Sequence, residues 1–400
     1  MPGASLLLEP TRSDRACAIV TPEWGLAVAY GLAALARATV IALIPIMAYR
    51  QLGSAQNVSE LYLIASLGGI AVNLSLPRML HGLGRWPVFV LAAAAGAGSA
   101  LALVSGSLPG LMVGLMLQVL MVLIFENVIT LFVLDYIARR RLAAFEPRRV
   151  LLGGIAYIIG PWLGVWMAER FAPGSALALS ALCAIAVPIS VYFLVATRQA
   201  QVDAPPTGKS GSNIRKFLGQ PRLRLAWMLA TLRASWWWMF MVYTPIIAVS
   251  RGLGSSGGAL LIAGASALLL LAPLWRRLAQ RTGMRWLLMG SYTVSGISTV
   301  SSGMVLDNSV WIGATMLLLA AVAMSAIDAM GNVPFLRAVR AHQRTAMLPI
   351  YSTYRDVAQI APAGLFAILL LFMPLPTVFV VIGILMFVAA AFCGLLPRRL

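Results

Sequence analysis

The sequence predicts an all-α integral membrane protein of twelve transmembrane helices arranged as two pseudo-symmetric six-helix bundles, and three observations carry that expectation. Of the 400 residues 60% are hydrophobic and 10% charged, whereas soluble domains hold about 25% charged residues. Apolar runs of about 20 residues, the length that crosses a ~30 Å hydrocarbon core as a helix, recur along the whole chain, in contrast to barrel strands of roughly 10 residues. The longest polar interval, VATRQAQVDAPPTGKSGSNIRKFLGQPRLR (195–224), falls midway and leaves six runs on either side.

Taken in order, the runs place spans over 24–47, 58–79, 87–106, 108–136, 150–171, 174–196, 223–247, 257–275, 286–305, 309–332, 348–371 and 375–396. Residues 1–23 carry Glu9, Arg12, Asp14 and Arg15 and only the short run Leu6 to Leu8. They lack the apolar core of a cleaved signal peptide and read as a cytoplasmic tail. The Pro, Gly and Ser content of the central interval reads as a flexible cytoplasmic linker over 197–222. The bundles then cover 24–196 and 223–396, and 397–400 form a short tail.

The formal charge of +18 would point to nucleic acid if it formed a soluble patch, but the basic residues sit between apolar runs. Outside the spans, only Arg50, Arg170 and Arg251 fall on the side opposite the others, and Arg37, Arg233 and Arg355 lie within spans. Such a bias orients both termini to the cytoplasm. The cysteines Cys17, Cys183 and Cys393 are too scattered for a disulfide framework or a zinc site. No nucleotide-binding GxxxxGK[ST] loop is present, and His81 and His342 lie in loops, so neither an enzyme, a bound metal nor a cofactor is expected.

The two halves show a repeat. PRMLHGLGRW (77–86) follows the second span and RRLAQRTGMRW (276–286) the eighth, and aligning Gly84 with Gly283 gives an offset of 199. IIGPWLG (158–164) in the fifth span and IAPAGLF (360–366) in the eleventh align Pro161 with Pro362 at 201. A repeat of about 200 residues is what a six-plus-six transporter produces.

RRLAQRTGMR resembles the loop signature of the major facilitator superfamily, G-x-L-A-D-R-x-G-R-[RK], at its place between spans 8 and 9, with Arg276, Gln280 and Met284 as departures. The first-half copy keeps Gly84-Arg85 and has His81 where the acid stands. AYIIGPWLG (156–164) is similar to the fifth-span antiporter signature, with Gly160-Pro161 and Gly164 kept; Gly-Pro also occurs as a plain packing kink. The resemblance implies gating roles for Arg85, Arg281, Arg285, Gly160 and Pro161. It also implies a central cavity lined by spans 1, 4, 7 and 10.

Charges at bilayer depth cost ~2.5–3.5 kcal/mol on insertion scales and are kept where they face a cavity or a partner. Those four spans carry Arg37, Glu126, Arg233 and Asp328, with offsets of 202 between the acids and 196 between the arginines. Each half therefore offers one arginine and one acid, expected as the pairs Arg37–Glu126 and Arg233–Asp328. The arginines suit carboxylate or phosphate recognition, and Glu126 and Asp328 suit proton coupling. Interhelical ion pairs without substrate contact are the alternative. Trp237, Tyr243 and Asn127 are further candidate substrate contacts, and Arg355-Asp356 reads as a cytoplasmic gate or interhelical pair.

The expected function is a secondary active transporter working by alternating access. It is expected to act as a monomer in a bacterial inner membrane, coupled to protons, and to move a small organic anionic or amphipathic solute. A multidrug-type proton antiporter is one alternative; a receptor or scaffold without transport is another.

Overall fold

The computed structural model describes residues 21–137, 141–195, 211–339 and 343–396, with the backbone alone at 142–144, 211–213 and 344–346. Residues 1–20 of the expected N-terminal tail, the expected tail 397–400, residue 196 and residues 197–210 of the linker lie outside the described residues. So do Arg12, Arg15, Arg139, Arg140, Arg198, Lys209, Arg340, Arg398 and Arg399.

The first half runs through α1 (Pro22–Ile41), α2 (Leu43–Leu52), α3 (Ala55–Leu83), α4 (Arg85–Val104), α5 (Leu108–Tyr136), α6 (Leu142–Arg170) and α7 (Pro173–Val195). A short α8 (Gly211–Leu218) leads into α9 (Pro221–Ser250), α10 (Gly254–Ala267), a 3-10 turn (Leu268–Leu271) and α11 (Ala272–Thr282). The chain closes with α12 (Met284–Val305), α13 (Val310–Met330), α14 (Val333–Ala338), α15 (Arg344–Ser352), α16 (Tyr354–Phe372) and α17 (Thr377–Cys393). No strand occurs among the described residues.

Among the described residues nine segments are long and apolar enough to cross a membrane. Two others, Pro221–Ser250 and Met284–Val305, have 30 and 22 residues but carry arginine, tryptophan and hydroxyl side chains that lower their hydropathy; Thr377–Cys393 has 17.

Some expected single spans are broken. Pro45 has no N–H to donate back to Ile41, and the first span divides at Ala42. The tenth bends at Gly331 and Asn332, just after Asp328. The linker expected to be flexible contains α8, anchored by Phe217, which is buried beside Leu223, Phe335 and Tyr351.

Packing repeats between the halves. α1 packs on α6 and α7, as α9 packs on α16 and α17; α4 packs on α5 and α7, as α12 packs on α13 and α17. The halves meet where α3 packs on α16 and, correspondingly, where α10 packs on α6. Small devices recur as well. Ser99 donates to the Gly114 carbonyl at 2.7 Å and Ser302 to that of Gly313 at 2.9 Å, tying α4 to α5 and α12 to α13. Ser107 caps α5 by accepting from the Gly110 N–H, and Ser309 caps α13 by accepting from that of Ile312. Gly84 and Gly283 end α3 and α11 at φ of 82° and 84°, a region open to glycine but strained for other residues.

Candidate functional site

The paired prolines order the site. Each half carries a proline on its leading helix, Pro45 just after the break at Ala42 and Pro245 inside the continuous α9, and the residue eight positions earlier is Arg37 in one case and Trp237 in the other. The acids are equally placed: Glu126 stands 18 residues after Leu108, the start of α5, and Asp328 stands 18 after Val310, the start of α13. Arg37 Nη1 lies 3.5 Å from Glu126 Oε1, and Trp237 Nε1 donates to Asp328 Oδ2. The positional counterpart of Arg37 is thus Trp237. Arg233, one turn earlier on α9, brings its own guanidinium to the same acid, with Nη1 3.3 Å from Asp328 Oδ1.

That extra arginine needs room. A Cβ on Gly331 would lie 1.6 Å from Arg233 Nη1, so the glycine at the end of α13 leaves the space the guanidinium occupies. Tyr354, the first residue of α16, completes the pocket: its hydroxyl accepts from Arg233 Nη2 at 3.4 Å, and the guanidinium carbon stands 5.8 Å from the ring centre.

The two ion pairs differ in exposure. Arg37 and Glu126 side chains are 38% and 42% exposed although both lie well inside their helices, while Arg233 is 8% and Asp328 26% exposed. In low-dielectric surroundings a charge pair holds tightly and tolerates no vacancy; a wet pair exchanges partners at little cost. Tyr157 and Tyr30 stand beside Arg37. The helix bearing Arg37 is held close to α6, since a Cβ on Gly160 would meet Ala38 Cβ at 2.6 Å and one on Gly164 would meet the Thr39 carbonyl oxygen at 1.8 Å. Gly160 and Pro161 therefore sit in a close helix contact directly behind Arg37.

The other candidate residues separate. Asn127 is exposed next to Glu126 and donates to the Leu123 carbonyl at 2.8 Å. Tyr243 is fully buried, with its hydroxyl 2.6 Å from that of Ser59 on α3. Arg85 pairs with Asp135 across α4 and α5. Its counterparts Arg281 and Arg285 form no ion pair among the described residues, and the position 202 residues after Asp135 is Arg337, a like charge. Asp356 accepts from Asn73 Nδ2 at 3.1 Å, joining α16 to α3, while Arg355 donates from Nε to the Tyr354 hydroxyl at 3.4 Å. Arg355 and Asp356 therefore do not form a pair with each other.

Asn73 with Asp356 joins the halves far along α3, and a further set of contacts between them lies toward the end of the molecule that carries Gly53. There Arg50 donates to Ser255 at 2.9 Å, Ser256 to Glu169 at 2.5 Å, and Ser59 meets Tyr243. Trp238 stands edge-on to Tyr62 at 6.1 Å and stacks on Phe366 at 6.5 Å, closing that end with aromatic rings. Sequence reading passed over Ser59, Asn73, Gly331 and Tyr354. The isolated polar residue Asn73 in an apolar run and the prolines at 45 and 245, an offset of 200, were the available signals.

By sequence the chain matches no protein-family model and no curated protein. By structure it is similar to a bacterial homologue of the iron transporter ferroportin in an inward-facing state (TM-score 0.72, 14% identity, 93% of this chain and 98% of that one). It is also similar to the nucleoside transporter NupG (0.72, 12%, 93% and 98%) and to a POT family transporter in complex with 5-aminolevulinic acid (0.73, 13%, 93% and 95%). The chain shares the all-helical fold of these transporters. These neighbours are transporters rather than enzymes. In this transporter fold the two acid-centred clusters occupy matching places, and the chain is a multi-pass membrane protein.

Proposed function

We propose that the chain is a secondary active transporter that moves a small organic solute by alternating access, coupled to protons. Twelve spans in two bundles, 24–196 and 223–396, with both termini in the cytoplasm of a bacterial cell, are the reading that the repeated packing and the distribution of arginines support. The Gly53 end is then periplasmic and closed, and the Arg37–Glu126 pair is wetted from the cytoplasmic side.

One observation carries this reading: each half presents an acid, Glu126 or Asp328, to the residue eight positions before a proline of its leading helix. An exposed acid beside an arginine is a group whose proton affinity changes as the partner approaches or withdraws. Glu126 is the coupling acid, and Arg37, Arg233, Trp237 and Asn127 form the wall the solute meets. Tyr243 closes the periplasmic end together with Ser59.

The reading is tested with purified full-length chain in proteoliposomes under an imposed proton gradient, screening organic anions and amphipathic cations. Solute-dependent proton flux that is lost in Glu126→Gln is expected. Flux that persists undiminished in Glu126→Gln would remove that acid from coupling, and no flux with any solute in wild type would remove transport.

A further inference from the structure

Four arginines form one electrostatic group, Arg37, Arg149, Arg233 and Arg355: the first, second and fourth have Glu126 as a neighbour, and the third shares the Tyr354 hydroxyl with the fourth. The first three are committed, since Arg37 faces Glu126, Arg149 faces Glu146 with Nε 2.9 Å from Oε2, and Arg233 faces Asp328. Among the described residues Arg355 alone of the four makes no ion pair. The adjacent carboxylate of Asp356 is held by Asn73 instead.

Arg355 is nonetheless fixed. Its Nε donates to the Tyr354 hydroxyl at 3.4 Å and its guanidinium carbon lies 5.8 Å from the Tyr354 ring centre. The same hydroxyl accepts from the buried Arg233 at 3.4 Å, so Tyr354 is clamped from both sides and positions Arg355. Using Nε for the phenol leaves the two terminal amino groups of Arg355 without partners among the described residues. The side chain is exposed, and its electrostatic neighbours include Glu126 and Tyr30 of the first half, so it projects into the space between the halves.

We propose that Arg355 is the recognition residue for an oxyanion, a carboxylate or phosphate carried by the solute, with Tyr354 as its positioning residue. The argument is one of competition. An anion docking on Arg37 or Arg233 must first displace a carboxylate, whereas Arg355 presents a planar pair of donors that matches a carboxylate or phosphate edge and is already free. The inference rests on the transport reading for its biological meaning, and it narrows the solute to an organic anion.

The test uses purified full-length chain with benzoate and phenyl phosphate as probes and phenylglyoxal as an arginine label, read by peptide mass spectrometry. Arg355 is expected to be labelled ahead of Arg37 and Arg233, and at least one probe anion is expected to slow that labelling. In Arg355→Gln the anion concentration needed for thermal stabilisation is expected to rise roughly tenfold or more, the loss of a charge-assisted hydrogen bond; Arg355→Lys should recover part of it, because charge remains and the fork does not. Protection by benzoate alone or by phenyl phosphate alone identifies which oxyanion is taken.

Labelling of Arg355 that neither anion affects, or unchanged anion stabilisation in Arg355→Gln, overturns the proposal. Proton-coupled flux of benzoate that survives intact in Arg355→Gln overturns it while leaving transport standing. Anion protection of Arg355 in a protein that transports nothing sinks the transport reading and leaves the site.

Discussion

Gly331 leaves the space that the Arg233 guanidinium fills, since a Cβ at 331 would come within 1.6 Å of Nη1. The arginine has no free side to retreat to, because Asp328 and Tyr354 hold it and it is buried. Gly331→Ala is therefore expected to cost about 1–3 kcal/mol, the range for overpacking a filled interior. Thermal unfolding of the purified variant checks this, and a wild-type melting temperature would show that the arginine moves aside.

The unequal exposure of the two ion pairs predicts unequal costs. Arg233→Leu strands Asp328, and about 3 kcal/mol is expected, the low end for breaking a buried pair because Asp328 keeps 26% of its side chain exposed. Arg37→Leu should cost under about 1 kcal/mol, as for exposed pairs. Asp328→Leu added to Arg233→Leu should restore stability. Equal losses in the two single variants would contradict the difference.

Tyr243→Phe removes the hydrogen bond to Ser59 and should loosen the Gly53 end by about 0.5–1.5 kcal/mol. A cysteine introduced at Ile247, buried at that end, should then react with a membrane-impermeant maleimide roughly two- to tenfold faster than in the parent, the same free energy expressed as a ratio. Unchanged reactivity would mean the aromatic rings alone hold the end shut.

Glycines on one helix should behave oppositely. A Cβ on Gly164 would strike the Thr39 carbonyl, which is backbone and cannot swing away, whereas a Cβ on Gly154 meets nothing within 4 Å. Gly164→Ala should be strongly destabilising, and Gly154→Ala neutral or stabilising by about 0.4–1 kcal/mol through reduced chain entropy. Unfolding of both variants in the same detergent makes the comparison.

The helical membrane fold was legible because burial in lipid demands long apolar helices, and α5 was placed from hydropathy at its observed limits. Hydropathy is blind to breaks, so the bends at Ala42 and Gly331 and the short α8 escaped it. The acids of the site stood out as charges in apolar runs. Their partners were less plain: offset arithmetic matched Arg37 with Arg233, whereas the prolines at 45 and 245 show that Trp237 holds the corresponding place. A tryptophan in a membrane helix carries no mark distinguishing a hydrogen-bond donor to an acid from a packing residue. Tyr354 and Gly331 act through shape, which sequence spacing does not encode.

The serine-to-carbonyl bonds that tie α4 to α5 and α12 to α13 span only 15 and 11 residues of chain, while the contacts between the halves, such as Ser59 with Tyr243 and Asn73 with Asp356, span 184 and 283. Closing short loops is entropically cheap and fast, and long ones come later. Each hairpin can therefore be zipped as its second helix leaves the translocation channel, well before the opposite half has been synthesised. Biogenesis then proceeds from two prefabricated hairpins to two halves, and the solute-facing space is the last part of the molecule to come into being.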